Sequence, residues 1–352
     1  MPSRQPRLAA IATAVPPFAL GQEEVTRRAR LLYTELGATD IERIMPVFAN
    51  STIERRYSCV PIDWYEEPRG WTERNALYLE HAQSLLERAA RTCLDRAGMA
   101  PRDIDAVVTV STTGIATPSL DALLSNRMGM RPDVKRLPIF GLGCAGGVLG
   151  LARAADWVRA MPGARLLYLV VELCALSFRR NDTSKSNIVA TALFGDGAAA
   201  AILTGDSTGG GAAFGPGGEH LFPDTLGIMG WDTGDDGLKA VFSRDIPALV
   251  KREMRGASSA FLARSQLALG DIDRFVCHPG GTKVVAALEE AFGIAEHTLA
   301  VEREVLRDYG NMSAATLLFV LERVMRQRQR GRMMLTAMGP GFTAGFQLLE
   351  AA

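Results

Sequence analysis

The sequence predicts an α/β protein built from two similar halves. Amphipathic helical stretches alternate along the 352 residues with short apolar runs, such as 106–110 and 165–171. Runs of this length and composition are typical of strands buried on both faces of a parallel sheet. Because 47% of the residues are hydrophobic, the chain can bury a large core, and its length suits two domains or one duplicated unit.

The duplication is predicted from intervals that recur between the halves. Each half contains an Asp-Ile-Asp sequence before a strand, a glycine that precedes an apolar helix, and an arginine that opens a further strand. The matched positions are Asp105 and Asp273, Cys144 and Asn311, and Arg165 and Arg332. The first interval is 39 residues in one half and 38 in the other, and the second is 21 residues in both. Matches of this kind indicate an internal repeat, whose symmetry would bring Cys144 and Asn311 together.

The elements of the first half follow from apolar periodicity and turn residues. Residues 8–15 imitate a short signal sequence, but Pro16 and Pro17 end the run, and we favour a buried first strand. No apolar run reaches the length of a membrane-spanning helix. The patterns then predict helices over 22–47 and 73–98, an irregular aromatic-rich connection over 54–71, strands over 106–110, 137–140 and 165–171, and a helix that starts at Cys144.

The second half repeats this order. A helix over 256–269 leads to a strand over 274–277. A glycine-rich stretch at 208–218 predicts the hinge, so that 1–207 is the N-terminal half and 208–352 the C-terminal half. Residues 188–203, before the hinge, are small and apolar around Leu193-Phe-Gly-Asp-Gly197.

Charge and cysteine content exclude several classes of protein. Thirty-nine basic residues balance thirty-nine acidic ones, so no overall field indicates binding of nucleic acid or of an anionic membrane. The five cysteines form no CxxC pair and are odd in number. They therefore indicate reduced thiols in the cytoplasm, and neither a zinc site nor a disulfide framework.

Cys144 is the centre of the predicted site. It lies in Gly-Leu-Gly-Cys-Ala-Gly-Gly (141–147), where a glycine turn opens an apolar helix. The unpaired N–H groups and positive dipole end of a helix start stabilise a thiolate, the form that attacks carbonyl carbons. Taken alone, a buried structural cysteine is the simpler interpretation, since free cysteine commonly packs as a small apolar residue.

Two residues of the second half turn this cysteine into a candidate nucleophile. His278 ends the 274–277 strand, as the polar loop 111–114 ends the strand of the first half, and ligand sites of α/β sheets lie at that edge. An imidazole within reach of a thiol suits acyl transfer, and the Asn311 amide can donate to an oxyanion. A lone histidine is more often structural, but the strand end and the following Pro-Gly-Gly favour a ligand role. A papain-type protease uses the same trio, yet its nucleophile lies near the mature N-terminus.

Four motifs, in order, resemble the type III polyketide synthases of the chalcone synthase superfamily. They are Gly-Cys-Ala-Gly-Gly (143–147), Cys277-His-Pro-Gly-Gly281, Tyr309-Gly-Asn-Met-Ser313 and Met338-Gly-Pro-Gly341. The resemblance covers nearly the whole chain. It implies the thiolase fold, in which duplicated βαβαβ-type halves form a layered α/β/α/β/α core, and it implies a homodimer whose catalytic residues are Cys144, His278 and Asn311.

The resemblance also implies the reaction. The Cys144 thiolate, paired with His278, takes an acyl group from acyl-CoA. His278 and Asn311 then hold the thioester carbonyl of malonyl-CoA, so that decarboxylation gives a stabilised enolate that attacks the acyl thioester. Further rounds build a poly-β-keto chain, which closes to a resorcinol or a pyrone. No metal or bound cofactor is implied, because malonyl-CoA brings its own leaving group.

Further motifs are similar to those of bacterial long-chain enzymes that make alkylresorcinols or alkylpyrones. These motifs are Arg56-Tyr-Ser-Cys-Val-Pro61, Trp71-Thr-Glu-Arg-Asn-Ala-Leu-Tyr78, Glu172-Leu-Cys174, Ser177-Phe-Arg-Arg-Asn-Asp182 and Met229-Gly-Trp-Asp232. Plant chalcone synthases carry Gly in place of Trp231 and Phe in place of Ala240, which indicates a cavity reshaped for a fatty acyl starter.

The remaining site residues are also implied by the resemblance. Phe194 corresponds to the gatekeeper between entry tunnel and cavity, although a packed core aromatic is an equally simple interpretation. The implied cavity-wall residues are Thr112, Thr113, Ile115, Trp231, Ala240 and Phe242. The implied coenzyme A contacts are Arg43, Gly280 and Gly281, while Pro46 and Asn50 replace other basic residues of the family.

Two alternatives belong to other classes of function. One is a ketoacyl synthase III-like condensing enzyme that receives its starter from acyl carrier protein. The other is a non-catalytic ketosynthase-like partner subunit, a class that typically lacks the nucleophilic cysteine that this chain retains.

Overall fold

The computed structural model describes residues 5–35, 41–205 and 211–352. Its strands are β1 (Arg7–Ala14), β2 (Phe18–Gly21), β3 (Arg55–Ser58), β4 (Ala106–Val110), β5 (Lys135–Ile139), β6 (Arg165–Leu173), β7 (Asp196–Thr204), β8 (Ala213–Leu221), β9 (Met229–Gly234), β10 (Gly237–Phe242), β11 (Arg274–Cys277), β12 (Gly331–Gly339) and β13 (Thr343–Ala351). Its helices are α1 (Gln22–Glu35), α2 (Ile41–Ile44), α3 (Pro46–Asn50), α4 (Trp71–Ala97), α5 (Leu120–Met128), α6 (Gly146–Ala160), α7 (Lys185–Leu193), α8 (Ile246–Ala263), α9 (Thr282–Phe292), α10 (Ala300–Tyr309) and α11 (Ala314–Arg326).

Nine of the described strands form one sheet, in the order β11-β12-β13-β8-β1-β7-β6-β4-β5. In the first-half arm, β4 is parallel to β5 and β6, and β7 is antiparallel to β6 and β1. In the second-half arm, β11 is parallel to β12, and β13 is antiparallel to β12 and β8. The arms join where Arg7 of β1 pairs with Ala213 of β8. The two arms therefore repeat one strand pattern.

Helices cover both arms and also fill the space between them. The central helices α6 and α11 contact strands of both arms, and their residues Leu151 and Leu317 are fully buried in one shared core. A second core lies under α4 and α5 on the first arm, and a third lies under α8 and α9 on the second. This gives the five alternating layers of the predicted α/β/α/β/α core.

The two Asp-Ile-Asp sequences make matching contacts, which supports the predicted repeat. A carboxylate oxygen of Asp105 accepts a hydrogen bond from the backbone N of Arg165 at 2.8 Å, and Asp273 accepts one from Arg332 at 2.7 Å. The backbone N of each aspartate in turn donates to the carbonyl of the same arginine. Each pair fixes the start of a parallel strand pair, β4 with β6 and β11 with β12. The symmetry places Cys144 and Asn311 at the N-terminal ends of α6 and α11.

The apolar run near the start of the chain is a strand. β1 lies inside the sheet between β7 and β8, which confirms the interpretation favoured over a signal sequence. In residues 5–35, 41–205 and 211–352, no helix combines the length and the apolar character needed to cross a bilayer.

Several predicted elements have different bounds in the structure. The helix predicted over 22–47 is interrupted: α1 ends at Glu35, residues 36–40 lie outside the described part, and α2 and α3 follow. The helix predicted over 256–269 is α8, which runs over 246–263. The connection predicted to be irregular contains β3 and a 3-10 turn over 62–66, and α4 begins at Trp71. The small apolar stretch 188–203 divides into the end of α7 and most of β7.

The predicted hinge is wrong for the part that the structure describes. Residues 208–210 lie outside the described ranges, but β8 begins at Ala213 and pairs with β13. The glycines of β8 provide room for close packing. A methyl group on Gly217 would lie 2.8 Å from Cβ of Ala152, and one on Gly218 would lie 2.6 Å from the Phe261 ring. The division into halves at 207 and 208 stays a prediction.

Candidate active site

Cys144 occupies a short 3-10 turn, Gly143–Ala145, directly before α6. The backbone N of Gly143 donates to Oγ1 of Thr112 at 3.1 Å, which ties this turn to the loop after β4. Cys144 is buried, with 8% of its surface exposed. Its Sγ lies 3.5 Å from Oγ of Ser313, the residue before α11. The predicted nucleophile is therefore held between the starts of the two central helices.

A continuous set of contacts joins Cys144 to the other two predicted catalytic residues. The backbone N of Ser313 donates to Oδ1 of Asn311 at 2.8 Å, and Nδ2 of Asn311 donates to the carbonyl of Gly280 at 3.1 Å. A methyl group built on Gly280 would lie 3.6 Å from Nε2 of His278. The structure thus brings Cys144, His278 and Asn311 to one place, as the sequence predicted.

Burial favours the neutral forms of both Cys144 and His278. It raises the pKa of Cys144 to about 12, against a smaller lowering by the hydrogen bond with Ser313. It lowers the pKa of His278 to about 4. The two side chains form no hydrogen bond with each other, and neither ring nitrogen of His278 has a partner among the described residues. The thiolate predicted from the helix start is therefore not the favoured form, because burial has the larger effect on the thiol.

A neutral imidazole and a neutral thiol in one site can still perform acyl transfer. His278 has a ring nitrogen free to accept the thiol proton as Cys144 attacks a thioester, which is general base catalysis of a nucleophile. The other ring nitrogen and the Asn311 amide are N–H donors for an oxyanion. The site therefore contains the chemical groups that nucleophilic acyl transfer requires, and the individual roles of Cys144, His278 and Asn311 stay predictions.

Glu172 is a buried carboxylate of this site whose position the sequence argument did not predict. Its Oε2 accepts hydrogen bonds from the backbone N of Thr112 at 3.0 Å and of Thr113 at 3.1 Å. Burial raises its pKa to about 7, against the lowering by these hydrogen bonds, and its charge raises the pKa of Cys144. Thr112 and Thr113 are buried beside the catalytic turn, where the resemblance places a cavity wall.

Ser313 is a further residue of this site that the sequence motifs do not single out. It contacts Cys144, and it adopts φ 48°, a conformation that is unfavourable for a residue other than glycine. Its place in the sequence two positions after Asn311, in Tyr309-Gly-Asn-Met-Ser313, is the signal that could have indicated its contact with the site.

Phe194 and the β9–β10 hairpin form an aromatic wall next to Asn311. Phe194 pairs with Asn311 in an isolated parallel bridge. Its ring stacks on Trp231 with a centroid distance of 6.2 Å and meets Phe242 edge to face at 5.6 Å. Ala240 joins the same apolar cluster. Four of the residues predicted as gatekeeper and wall are therefore neighbours.

Four of the predicted site residues lie elsewhere or are less directly placed. Ile115 is half exposed and its backbone pairs with the side chain of Asn75, so it does not join the aromatic cluster. Arg43 is exposed on α2, and no hydrogen bond joins it to the catalytic residues in the described part of the chain. Gly280 lies beside His278, and Gly281 precedes α9. Their roles in cavity and coenzyme A contacts stay predictions.

Known protein families match almost the whole chain. The profile of the N-terminal domain of chalcone and stilbene synthases matches residues 4–207, and that of the C-terminal domain matches 207–349. A 1,3,6,8-tetrahydroxynaphthalene synthase of Streptomyces peucetius is 40% identical, over 97% of this chain and 92% of that protein. A putative chalcone synthase of Bacillus subtilis is 36% identical over 97% of both chains.

A solved structure shows the same fold. The crystal structure of 1,3,6,8-tetrahydroxynaphthalene synthase from Streptomyces coelicolor, a bacterial type III polyketide synthase, superposes with a TM-score of 0.93. It is 28% identical, over 98% of this chain and 99% of that one. Both the matched profiles and this thiolase-fold relative favour a condensing enzyme of the polyketide branch over the alternatives of a ketoacyl synthase III-like enzyme or a non-catalytic subunit. The chain therefore belongs to the chalcone and stilbene synthase family and is a type III polyketide synthase, an acyltransferase that condenses acyl-CoA and malonyl-CoA.

Proposed function

We propose that this polyketide synthase extends a long-chain fatty acyl starter and closes the product to an alkylresorcinol, with alkylpyrones as by-products. The observation that carries the proposal is an apolar cavity of about 430 Å³ between α1, the 62–66 turn and α7. Its buried lining includes Cys174, Ala190 and Phe194. Phe194 also pairs with Asn311, so the cavity adjoins the aromatic wall.

The rest of the lining suits an alkyl tail. Leu20, Val25, Ala29 and Leu32 contribute apolar side chains from the β2–α1 segment, and Phe178 closes another side. Charged members of the lining such as Glu66 lie at its exposed part, whereas Arg56 is buried and its guanidinium donates to backbone carbonyls, including that of Phe194. An apolar pocket of this size is within the roughly 300–1,000 Å³ range of small-molecule sites, and burial of each methylene contributes about 0.8 kcal/mol.

A ladder of acyl-CoA starters tests the substrate class. Purified protein, malonyl-CoA and starters from acetyl- to palmitoyl-CoA should give the highest kcat/KM with the long chains, measured by mass spectrometry of the products. Leu32→Trp should reduce kcat/KM for long starters by about tenfold or more, because it fills a pocket that holds several methylenes, while short starters are unaffected. A naphthalene formed from malonyl-CoA alone, with no acyl-CoA incorporated, would contradict the proposal and would match the name of the tetrahydroxynaphthalene synthases.

Trp231 is proposed to direct ring closure towards carbon attack. An indole that stacks on Phe194 adds a flat wall, which would hold the tetraketide bent so that a methylene carbon reaches the electrophilic carbonyl. We expect Trp231→Gly to shift products from resorcinol to pyrone with a long-chain starter while total turnover is largely kept. Trp231→Phe, which retains an aromatic wall, is the matched control. An unchanged product ratio in folded, active Trp231→Gly would show that Trp231 only packs.

We also propose a homodimer that forms at the β5 edge. β5 is an outer strand of the sheet, and Leu137 and Phe140 at this edge are 36% and 58% exposed. Exposed apolar side chains on an unpaired edge favour its covering by another chain. Sedimentation equilibrium should give twice the 37.9 kDa chain mass, and a monomer at micromolar concentration would contradict the dimer.

The reaction uses neither a metal nor a bound cofactor, since malonyl-CoA carries its leaving group as carbon dioxide. Activity that is unchanged when EDTA is added to the acyl-CoA assays would support this.

The five cysteines are unpaired, as is usual in a reducing compartment. We therefore propose that the protein lies in the cytoplasm, which cell fractionation can test.

A further inference from the structure

The hairpin that carries Trp231 and Ala240 is attached to the protein mainly through side chains. β9 and β10 form their own two-stranded sheet, in which Trp231 lies opposite Ala240. Backbone hydrogen bonds secure its base, where the N of Gly341 donates to the carbonyl of Met229 at 3.1 Å. The orientation of the hairpin above that base therefore depends on what holds its tip.

Two arginines converge on the tip. The Oδ1 of Asp236 accepts a hydrogen bond from Nη2 of Arg74 at 2.8 Å, and Oδ2 accepts one from Nη1 of Arg179 at 2.6 Å. Both arginines also donate to the backbone carbonyl of Asp236, at 2.6 Å and 2.9 Å. We call Arg74, Arg179 and Asp236 the tip cluster. It joins the hairpin to α4 and to the segment before α7.

The charge balance of the tip cluster depends on its one carboxylate. Arg74 is 4% exposed, and burial lowers its pKa while Asp236 raises it and Arg179 lowers it. A buried charge that loses its partner is strongly destabilised. Without the carboxylate, two guanidinium groups would face each other, and the tip would move away from α4.

The rest of the tip is shaped for this position. Gly237 has φ 81°, and a methyl group there would lie 2.1 Å from the Trp71 ring, so only glycine lets the turn rest on α4. Lys239 adds an ion pair with Asp182 at 2.8 Å. These contacts fasten the hairpin along the same side as the tip cluster.

We propose that the tip cluster is a positioning device that fixes the hairpin against Phe194 and so determines how far and in which direction the polyketide chain grows. Trp231 and Ala240 lie on the strands that the cluster holds, and Trp231 stacks on Phe194, which pairs with Asn311. A released hairpin would widen the space beside the catalytic residues without altering them. The effect should therefore fall on product distribution and not on acylation of Cys144.

Asp236→Asn is the direct test, with Asp235→Asn as the matched control. Asp235 is the neighbouring residue at the same turn and is exposed, as Asp236 is, but it takes no part in the tip cluster. In Asp236→Asn, we expect hydrogen exchange of the peptide spanning 229–242 to rise at least about tenfold, since a partly buried ion pair that holds it is lost. Prematurely released short products should rise several-fold, while the rate of Cys144 acylation stays within about twofold of the wild type. Asp235→Asn should match the wild type in all three measurements.

The comparison uses whichever starter the wild type accepts, so it is independent of the proposed long-chain substrate. If Asp236→Asn does not fold, Arg179→Gln is the deciding variant. It leaves the Arg74–Asp236 pair intact and should shift exchange and products in the same direction by a smaller factor. Two results in the folded variant would overturn the proposal. One is unchanged hydrogen exchange of the peptide spanning 229–242, and the other is faster exchange with a wild-type product distribution.

Discussion

Cys144→Ala is expected to abolish acyl loading and product formation. The wild-type protein incubated with acyl-CoA should gain the mass of one acyl group on Cys144, and the variant should gain none. The reason is position: Sγ of Cys144 lies at the junction of the two central helices, in the network that leads through Ser313 and Asn311 to His278. Intact-mass spectrometry measures loading directly and does not depend on which product forms.

The other thiols provide the control for this result. Cys93→Ala makes the same change at a fully buried position on α4 and should load as the wild type does. Burial raises the pKa of Cys93 to about 12 as well, so a thiol titration does not distinguish Cys93 from Cys144. The difference that we expect in loading comes from His278, the predicted base of Cys144. Acyl mass on the Cys144→Ala variant would show that the nucleophile is another residue.

The repeat was predictable from sequence because the same contact recurs at nearly the same interval in both halves, 60 positions in one and 59 in the other. Each aspartate that closes an Asp-Ile-Asp sequence binds the backbone of an arginine, and this arginine opens a strand that is parallel to the strand after the aspartate. Such contacts fix intervals along the chain, and an interval can be counted without a structure. The same counting placed Cys144 and Asn311 at equivalent helix starts, and the motif around His278 placed it at the same sheet edge.

The hinge and the thiol chemistry were not predictable in this way. Glycine in 208–218 has two physical uses, a flexible link or close packing, and β8 uses it for packing against α6 and α8. A helix start lowers the pKa of a thiol, but burial raises it, and sequence patterns do not give the depth of Cys144. The larger effect here is burial.

The tip cluster shows a further limit. Arg74 and Asp236 are separated by 162 positions, and neither lies in a periodic pattern that indicates a partner. In the sequence, the motif Trp71-Thr-Glu-Arg-Asn-Ala-Leu-Tyr78 stands out only through its resemblance to long-chain enzymes. Its physical purpose, contact of Arg74 and Trp71 with the hairpin tip, becomes visible only in three dimensions.

Asn311→Ala is expected to slow malonyl-CoA decarboxylation by on the order of a hundredfold or more, the usual effect of losing one oxyanion donor. Loading of Cys144 from acyl-CoA should change much less, because the thiol and His278 remain. The two rates are measured separately, as carbon dioxide released from malonyl-CoA and as acyl mass gained by the protein. His278→Ala is the comparison variant and should impair both steps, since it removes the base and a donor together.

The hydrogen bonds of Asn311 explain why its loss should slow decarboxylation in particular. Its Oδ1 is occupied by the backbone N of Ser313, and one hydrogen of Nδ2 is occupied by the carbonyl of Gly280. These two bonds fix the amide plane, and the second hydrogen of Nδ2 is left for a substrate oxygen. Alanine removes that donor and also releases the Gly280 carbonyl, so circular dichroism and the loading rate must show that the site is otherwise intact. If such a variant decarboxylated malonyl-CoA at the wild-type rate, the enolate would need no amide donor, and Asn311 would serve only to hold Ser313 and Gly280 in place.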